Sequence, residues 1–211
     1  MKSFRICMQN IRKWGSNSRI KMCLIMSFLF VYSYISGMWK IIPLVGEKMN
    51  PWIFPFLFCW RFMKIVFMAP IVFIFCDAPF IDSNQSYVML RTSRKKWCFG
   101  QVLYIYAGSV IYAFVLFFST IIINIGHIKW GTSWGKVLGS AGTSTVLSTL
   151  GINYTTVKVP AIVIRYYTPA QAMFFSFLLM VLSFIFIGLL IYTVNVITKT
   201  NVAGTIIAGF F

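Results

Sequence analysis

The sequence predicts an all-α, polytopic membrane protein, and three observations carry that prediction. Segments 97–128 and 166–198 contain no Asp, Glu, Lys or Arg, and each exceeds the roughly 20 apolar residues a helix needs to cross a bilayer. A third charge-free run, 22–39, is just long enough. Hydrophobic residues make up 59% of the 211 and charged residues only 10%, a balance outside that of ordinary water-exposed domains.

Residues 1–20 carry Lys2, Arg5, Arg12, Lys13 and Arg19 and no acid. Phe4, Cys7, Met8, Ile11 and Trp14 recur at helical spacing, with Arg5, Gln9 and Arg12 opposite. That pattern predicts an amphipathic helix in the membrane interface, with Trp14 at headgroup depth and Arg12 and Lys13 beside it. A disordered basic tail is the alternative.

Span one is expected over 21–39 and stays in the mature chain, since no small-x-small cleavage site follows it. Span two is expected over 52–76. It contains Arg61 and Lys64, and a cation at mid-bilayer costs at least about 2.5 kcal/mol. Two readings stand: the helix starts near Phe58 with both cations snorkelling to the interface, or they face a polar interior.

Residues 77–99 are the most polar stretch, and Asp82 with Gln85 signals a short helix from Ser83 to Arg91. Asp77 reads as a turn residue beside Pro79. Span three is expected over 100–125, followed by a loop over 126–168 rich in Gly, Ser and Thr. Thr168 as N-cap with Pro169 at the first helical position opens span four, 169–197. The run 202–211 is too short to cross; it is expected to be the start of a fifth span cut short, or a re-entrant end.

Orientation follows from cation density. Lys2 through Lys21, and Arg91, Arg94, Lys95 and Lys96, form compact basic segments, which the positive-inside rule assigns to the cytoplasm. The expected topology is a multi-pass cell-membrane protein with a cytoplasmic N-terminus, loop 77–99 inside and loop 126–168 outside. The formal charge of +16 is assigned to this rule rather than to nucleic acid, because no basic stripe sits on a domain outside the membrane.

Little in the chain supplies catalysis. The acids are Glu47, Asp77 and Asp82, and the single imidazole is His127. Cys7, Cys23, Cys59, Cys76 and Cys98 form no CxxC pair, so neither a metal site, a cofactor site nor a His-based triad is expected. Gly131 to Val137 superficially suggests a phosphate-binding loop but has three residues between its glycines and Val after Lys136. The chain is not expected to be an enzyme.

From Cys76 the chain reads Cys-Asp-Ala-Pro-Phe-Ile-Asp, and from Tyr87 it reads Tyr-Val-Met-Leu-Arg-Thr-Ser-Arg-Lys-Lys-Trp-Cys-Phe-Gly-Gln-Val-Leu-Tyr. Together with the order of spans, this resembles the first cytoplasmic loop of ABC type-2 permeases, the membrane subunits of bacterial exporters. The resemblance implies a six-span plan, a separate cytoplasmic ATPase subunit, a second permease subunit (identical or different) and an interfacial N-terminal helix. It also implies a short ATPase-docking helix between spans two and three. Carried onto this chain, Tyr87 and Leu90 are the apolar contacts, with Arg91, Arg94, Lys95 and Lys96 as the charged rim. The lack of any phosphate-binding loop in the chain supports a separate ATPase. A non-transporting accessory or immunity-type membrane protein is the alternative.

Overall fold

The computed structural model describes residues 2–80, 92–143, 157–200 and 203–210. Among them the secondary structure is helical, with one isolated bridge between Met49 and Ile128. The α-helices are α1 (Lys2–Arg12), α2 (Ser18–Ser36), α3 (Ile42–Val45), α4 (Arg61–Phe75), α5 (Arg94–Asn124), α6 (Gly135–Ala141), α7 (Ala161–Tyr166), α8 (Pro169–Thr198) and α9 (Ala203–Phe210).

Local chemistry explains the main boundaries. The Asn17 side-chain oxygen accepts the Arg19 N–H at 3.0 Å, capping α2. At the start of α8, Thr168 N–H donates to Gln171 Oε1 at 3.2 Å while Pro169 holds the first helical position. That is the reciprocal half of a capping box.

Among the described residues, three continuous helical stretches are long and apolar enough to cross a membrane: Ser18–Val45, Arg94–His127 and Pro169–Thr198. Only 33% of the most apolar stretch in the last is buried, and Phe174, Leu179, Phe186 and Ile197 stand exposed along it. Apolar side chains facing outward along a whole helix fit a lipid solvent.

The expected second span, 52–76, is not continuous. Pro51 and Pro55 lack the N–H a helix needs, so Phe54–Phe58 forms a 3-10 turn and α4 begins only at Arg61. Its 15 residues reach about 22 Å, short of the roughly 30 Å hydrocarbon core. Among the described residues, three full-length candidates therefore stand where four were expected. The irregular turn lies within protein, with Phe54, Phe56 and Leu57 fully buried.

The chain divides into two compact units. The first comprises Met1–Met26, Met68–Ala113 and Val181–Phe211. In its core, Tyr104 meets Phe75 and Phe80 edge-on, at 5.9 and 4.7 Å between ring centroids. Close helix approach depends on glycine. A Cβ on Gly188 of α8 would lie 2.6 Å from Ile105 Cγ2, and one on Gly108 3.1 Å from the Phe75 ring. Buried Asn195 donates to Ala78 O at 2.8 Å and accepts the Gly204 N–H at 2.7 Å, joining α8 to α9 and to the turn after α4.

The second unit comprises Ser27–Phe67 and Phe114–Met180. Here α6 and α7 occupy part of the expected loop 126–168. Met49 N–H donates to His127 O and Lys129 N–H to Met49 O, both at 2.9 Å. Indole donors tie the segment down: Trp52 to Gly131 O at 2.8 Å, Trp134 to Tyr167 O at 2.9 Å and Trp39 to Asn124 Oδ1 at 3.1 Å. Asn50 packs against Gly131 and Gly135 and donates to Ser133 O. The glycines once suggestive of phosphate binding thus accommodate an asparagine, with Gly135 at φ +75.

Candidate functional site

The first unit gathers residues remote in sequence around the start of α5. Ser3 Oγ donates to Lys96 O at 2.8 Å, Asn10 Nδ2 to Gln101 Oε1 at 2.9 Å and Trp14 Nε1 to Tyr104 OH at 2.7 Å. Residues 3, 10 and 14 pair in rising order with 96, 101 and 104, so α1 and its following turn run parallel to α5. Gly100 makes this approach possible: a Cβ there would sit 3.0 Å from Ile6 Cβ and from Ser3 O.

This docking alters the expected orientation of α1. Ile6, Cys7, Asn10 and Trp14 are buried, whereas Phe4 and Met8 are 61% and 38% exposed. Periodicity had set Phe4, Cys7, Met8 and Trp14 on one lipid-facing stripe. The polar Asn10 draws the inner face round, because Gln101 offers it a buried partner. Trp14 is satisfied within the protein by Tyr104 rather than by headgroups. Arg12 stays exposed and Lys13 half-buried.

Parallel packing also places the first turns of α1 and α5 at one end. Arg5, Arg94, Lys95 and Lys96 are exposed there, and none forms an ion pair among the described residues. Of the expected docking residues, Tyr87, Leu90 and Arg91 lie outside the described residues, as does the short helix expected from Ser83. Arg61 and Lys64 sit exposed in the first turn of α4.

An unforeseen ion pair lies in the same unit. Both guanidinium Nη atoms of Arg19 donate to the Asp77 carboxylate in a bidentate fork. Asp77 also makes the anticipated turn, its carbonyl accepting the Phe80 N–H at 2.7 Å. The Arg19 hydrogen bonds hold the Asp77 carboxyl below the usual carboxylate range, against the opposing effect of partial burial. The partners are 58 positions apart, and no local pattern signals the pair.

Between α1, α2, α5 and the turn after α4 lies a cavity of about 270 Å³. Asn10, Lys13, Asn17, Arg19, Asp77 and Tyr104 supply its polar wall, and Trp14, Ile20, Ile74 and Phe80 its apolar wall. No group of three or more His, Cys, Asp or Glu among the described residues is placed to hold a metal ion.

No family model, curated protein or solved structure matches this chain.

Proposed function

We propose that the chain is the membrane-spanning permease subunit of an ABC-type exporter. A separate cytoplasmic ATPase drives it, a second permease subunit completes it, and an apolar or amphipathic cargo crosses the cell membrane. The observation that carries this reading is the anchoring of the segment between α4 and α5. On its leading side, Asp77 is held by Arg19 and Ala78 by Asn195. On its trailing side, Lys96 is held by Ser3 and Gln101 by Asn10. A loop that receives work from a nucleotide-driven partner needs both ends fixed to neighbouring helices; otherwise a push on the loop dissipates in the loop itself. The exposed cations Arg94, Lys95 and Lys96 supply a rim that steers encounter with an acidic partner surface more than it adds affinity.

The test is co-expression with an ATPase subunit encoded beside this chain, followed by co-purification in detergent and measurement of ATP hydrolysis. The double variant Tyr87→Ala/Leu90→Ala changes no charge. It should reach the membrane at normal abundance yet lose both the ATPase and its activity. Retention of both would remove the docking assignment. Wild-type protein that never captures an ATPase would favour the accessory-protein reading.

A further inference from the structure

We infer that Trp60, Arg61, Lys64 and Lys158 form a binding site for the headgroup of an anionic phospholipid. The site requires that the apolar helices lie in a bilayer; it does not require that the chain transports a cargo.

Two segments remote in sequence build the site, both within the second unit. In the stretch 157–159, Val157 and Val159 are buried and Lys158 between them is exposed. The Lys158 N–H donates to the hydroxyl of buried Tyr34 at 3.4 Å, so the backbone is held while the side chain is sent outward. Its ammonium lies 5.8 Å from the centroid of the Trp60 ring. The Trp60 carbonyl accepts the Lys64 N–H at 3.1 Å, which closes the first turn of α4. Arg61 and Lys64, three positions apart in that turn, share one face and are both exposed. Three cations and an indole are thus gathered at one end of α4.

Charge selects the occupant. Of the three acids in the chain, Glu47 pairs with Lys136, Asp77 pairs with Arg19 and Asp82 lies outside the described residues. Arg61, Lys64 and Lys158 form no ion pair among the described residues. Neither α4 cation serves its own helix: the first turn holds no acid, and a cation there opposes the macrodipole. An anion from outside the chain relieves both costs. The Trp60 indole N–H, with no acceptor among the described residues, adds a neutral donor. The anion must also sit beside apolar surface, because Phe62 and Ile65 are exposed on the adjoining strip of α4. An anionic phospholipid meets both demands, with phosphate oxygens for the cations and acyl chains for Phe62 and Ile65. A soluble anion would leave the apolar strip unmatched.

Purified full-length protein in detergent is titrated with phosphatidylglycerol and, separately, with zwitterionic phosphatidylcholine of the same acyl chains. Binding is followed by native mass spectrometry and by the rise in Tm. Wild type should hold one equivalent of phosphatidylglycerol in preference to phosphatidylcholine. Lys158→Gln removes one surface cation and should weaken phosphatidylglycerol binding about fivefold. The triple variant Arg61→Gln/Lys64→Gln/Lys158→Gln should bind the two lipids equally. Lys48→Gln removes the same charge from an exposed side chain outside the cluster and should keep the wild-type preference. Without added lipid the variants should unfold at the wild-type Tm, since every replaced side chain is exposed. Should the triple variant prove unstable, Lys158→Gln decides alone, because the bond to Tyr34 uses its backbone and survives the change. Equal binding of the two lipids by wild type, or an undiminished preference in Lys158→Gln, would overturn the inference. So would an equal rise in Tm with inorganic phosphate alone, which would identify a soluble anion as the occupant.

Discussion

Gly188 offers the sharpest test of how the helices of the first unit pack. A Cβ at this position would lie 2.6 Å from Ile105 Cγ2 and 2.9 Å from Phe75 Cδ2. Ordinary carbon contacts fall at about 3.5–4.0 Å, so Ile105 must retreat by about 0.9 Å or more. Phe75 and Ile105 are both fully buried. Overpacking of this kind costs about 1–3 kcal/mol, while alanine's better helix propensity returns about 0.5–1. The net expectation for Gly188→Ala is a loss of up to about 2.5 kcal/mol. Gly139→Ala in α6 is the control: nothing lies within 4 Å of its Cβ, so only the propensity gain should remain. Both are measured by reversible unfolding of purified protein in mixed micelles. A double-mutant cycle adds Ile105→Ala, which removes the clashing methyl and should recover part of the Gly188→Ala loss. If Gly188→Ala matched wild type and showed no coupling to Ile105, the proposed close approach of α5 and α8 would be wrong.

Asn195→Leu should cost about 1–3 kcal/mol in the same assay, because Ala78 O and the Gly204 N–H both lose a buried partner. An unchanged stability would mean water or another group replaces it. The Asp77–Arg19 pair has a definite pH signature. Because the Asp77 carboxyl is lowered in the folded state, its contribution is complete above the unfolded value of 3.8 and disappears as pH falls through the lowered folded value. Wild type should therefore exceed Asp77→Asn at neutral pH by about 0.2–1 kcal/mol, modest because the carboxylate is half exposed, and the two should converge in strong acid. A gap that widened on acidification would contradict this. Arg61→Gln should leave membrane abundance and Tm nearly unchanged, since Arg61 is exposed at the end of α4. Loss of function at normal abundance would instead place it on a substrate path.

Helices of uninterrupted apolar sequence were the most legible part of this chain. The span expected over 169–197 is Pro169–Thr198, and Thr168–Pro169 marks its start because cap and proline act locally. The span expected over 52–76 failed for an equally local reason. Pro51 and Pro55 interrupt the hydrogen bonding, and apolarity alone does not separate a lipid-facing helix from a buried aromatic turn such as Phe54–Phe58. The periodicity of α1 revealed a helix but not its inward face, which Asn10 decides through a partner 91 positions away. The cavity shares that obscurity. Its wall joins Lys13 and Asn17 to Asp77 and Tyr104, and such pairings are set by tertiary packing rather than spacing. Arg94, Lys95 and Lys96, exposed at the start of α5, were visible as a charge run.

Under the proposed function, the chain spans the membrane with its basic α1–α5 platform facing the cytoplasm. In a background with Cys7, Cys23, Cys59, Cys76 and Cys98 replaced, single cysteines at exposed Ser16, Ser93 and Thr132 report it directly. Intact cells are treated with a membrane-impermeant thiol reagent before and after permeabilisation. Ser16→Cys and Ser93→Cys should react only after permeabilisation, and Thr132→Cys in intact cells, as the density of Arg91 to Lys96 requires. Labelling of Ser93→Cys in intact cells with Thr132→Cys protected would invert the topology and contradict the docking of a cytoplasmic ATPase.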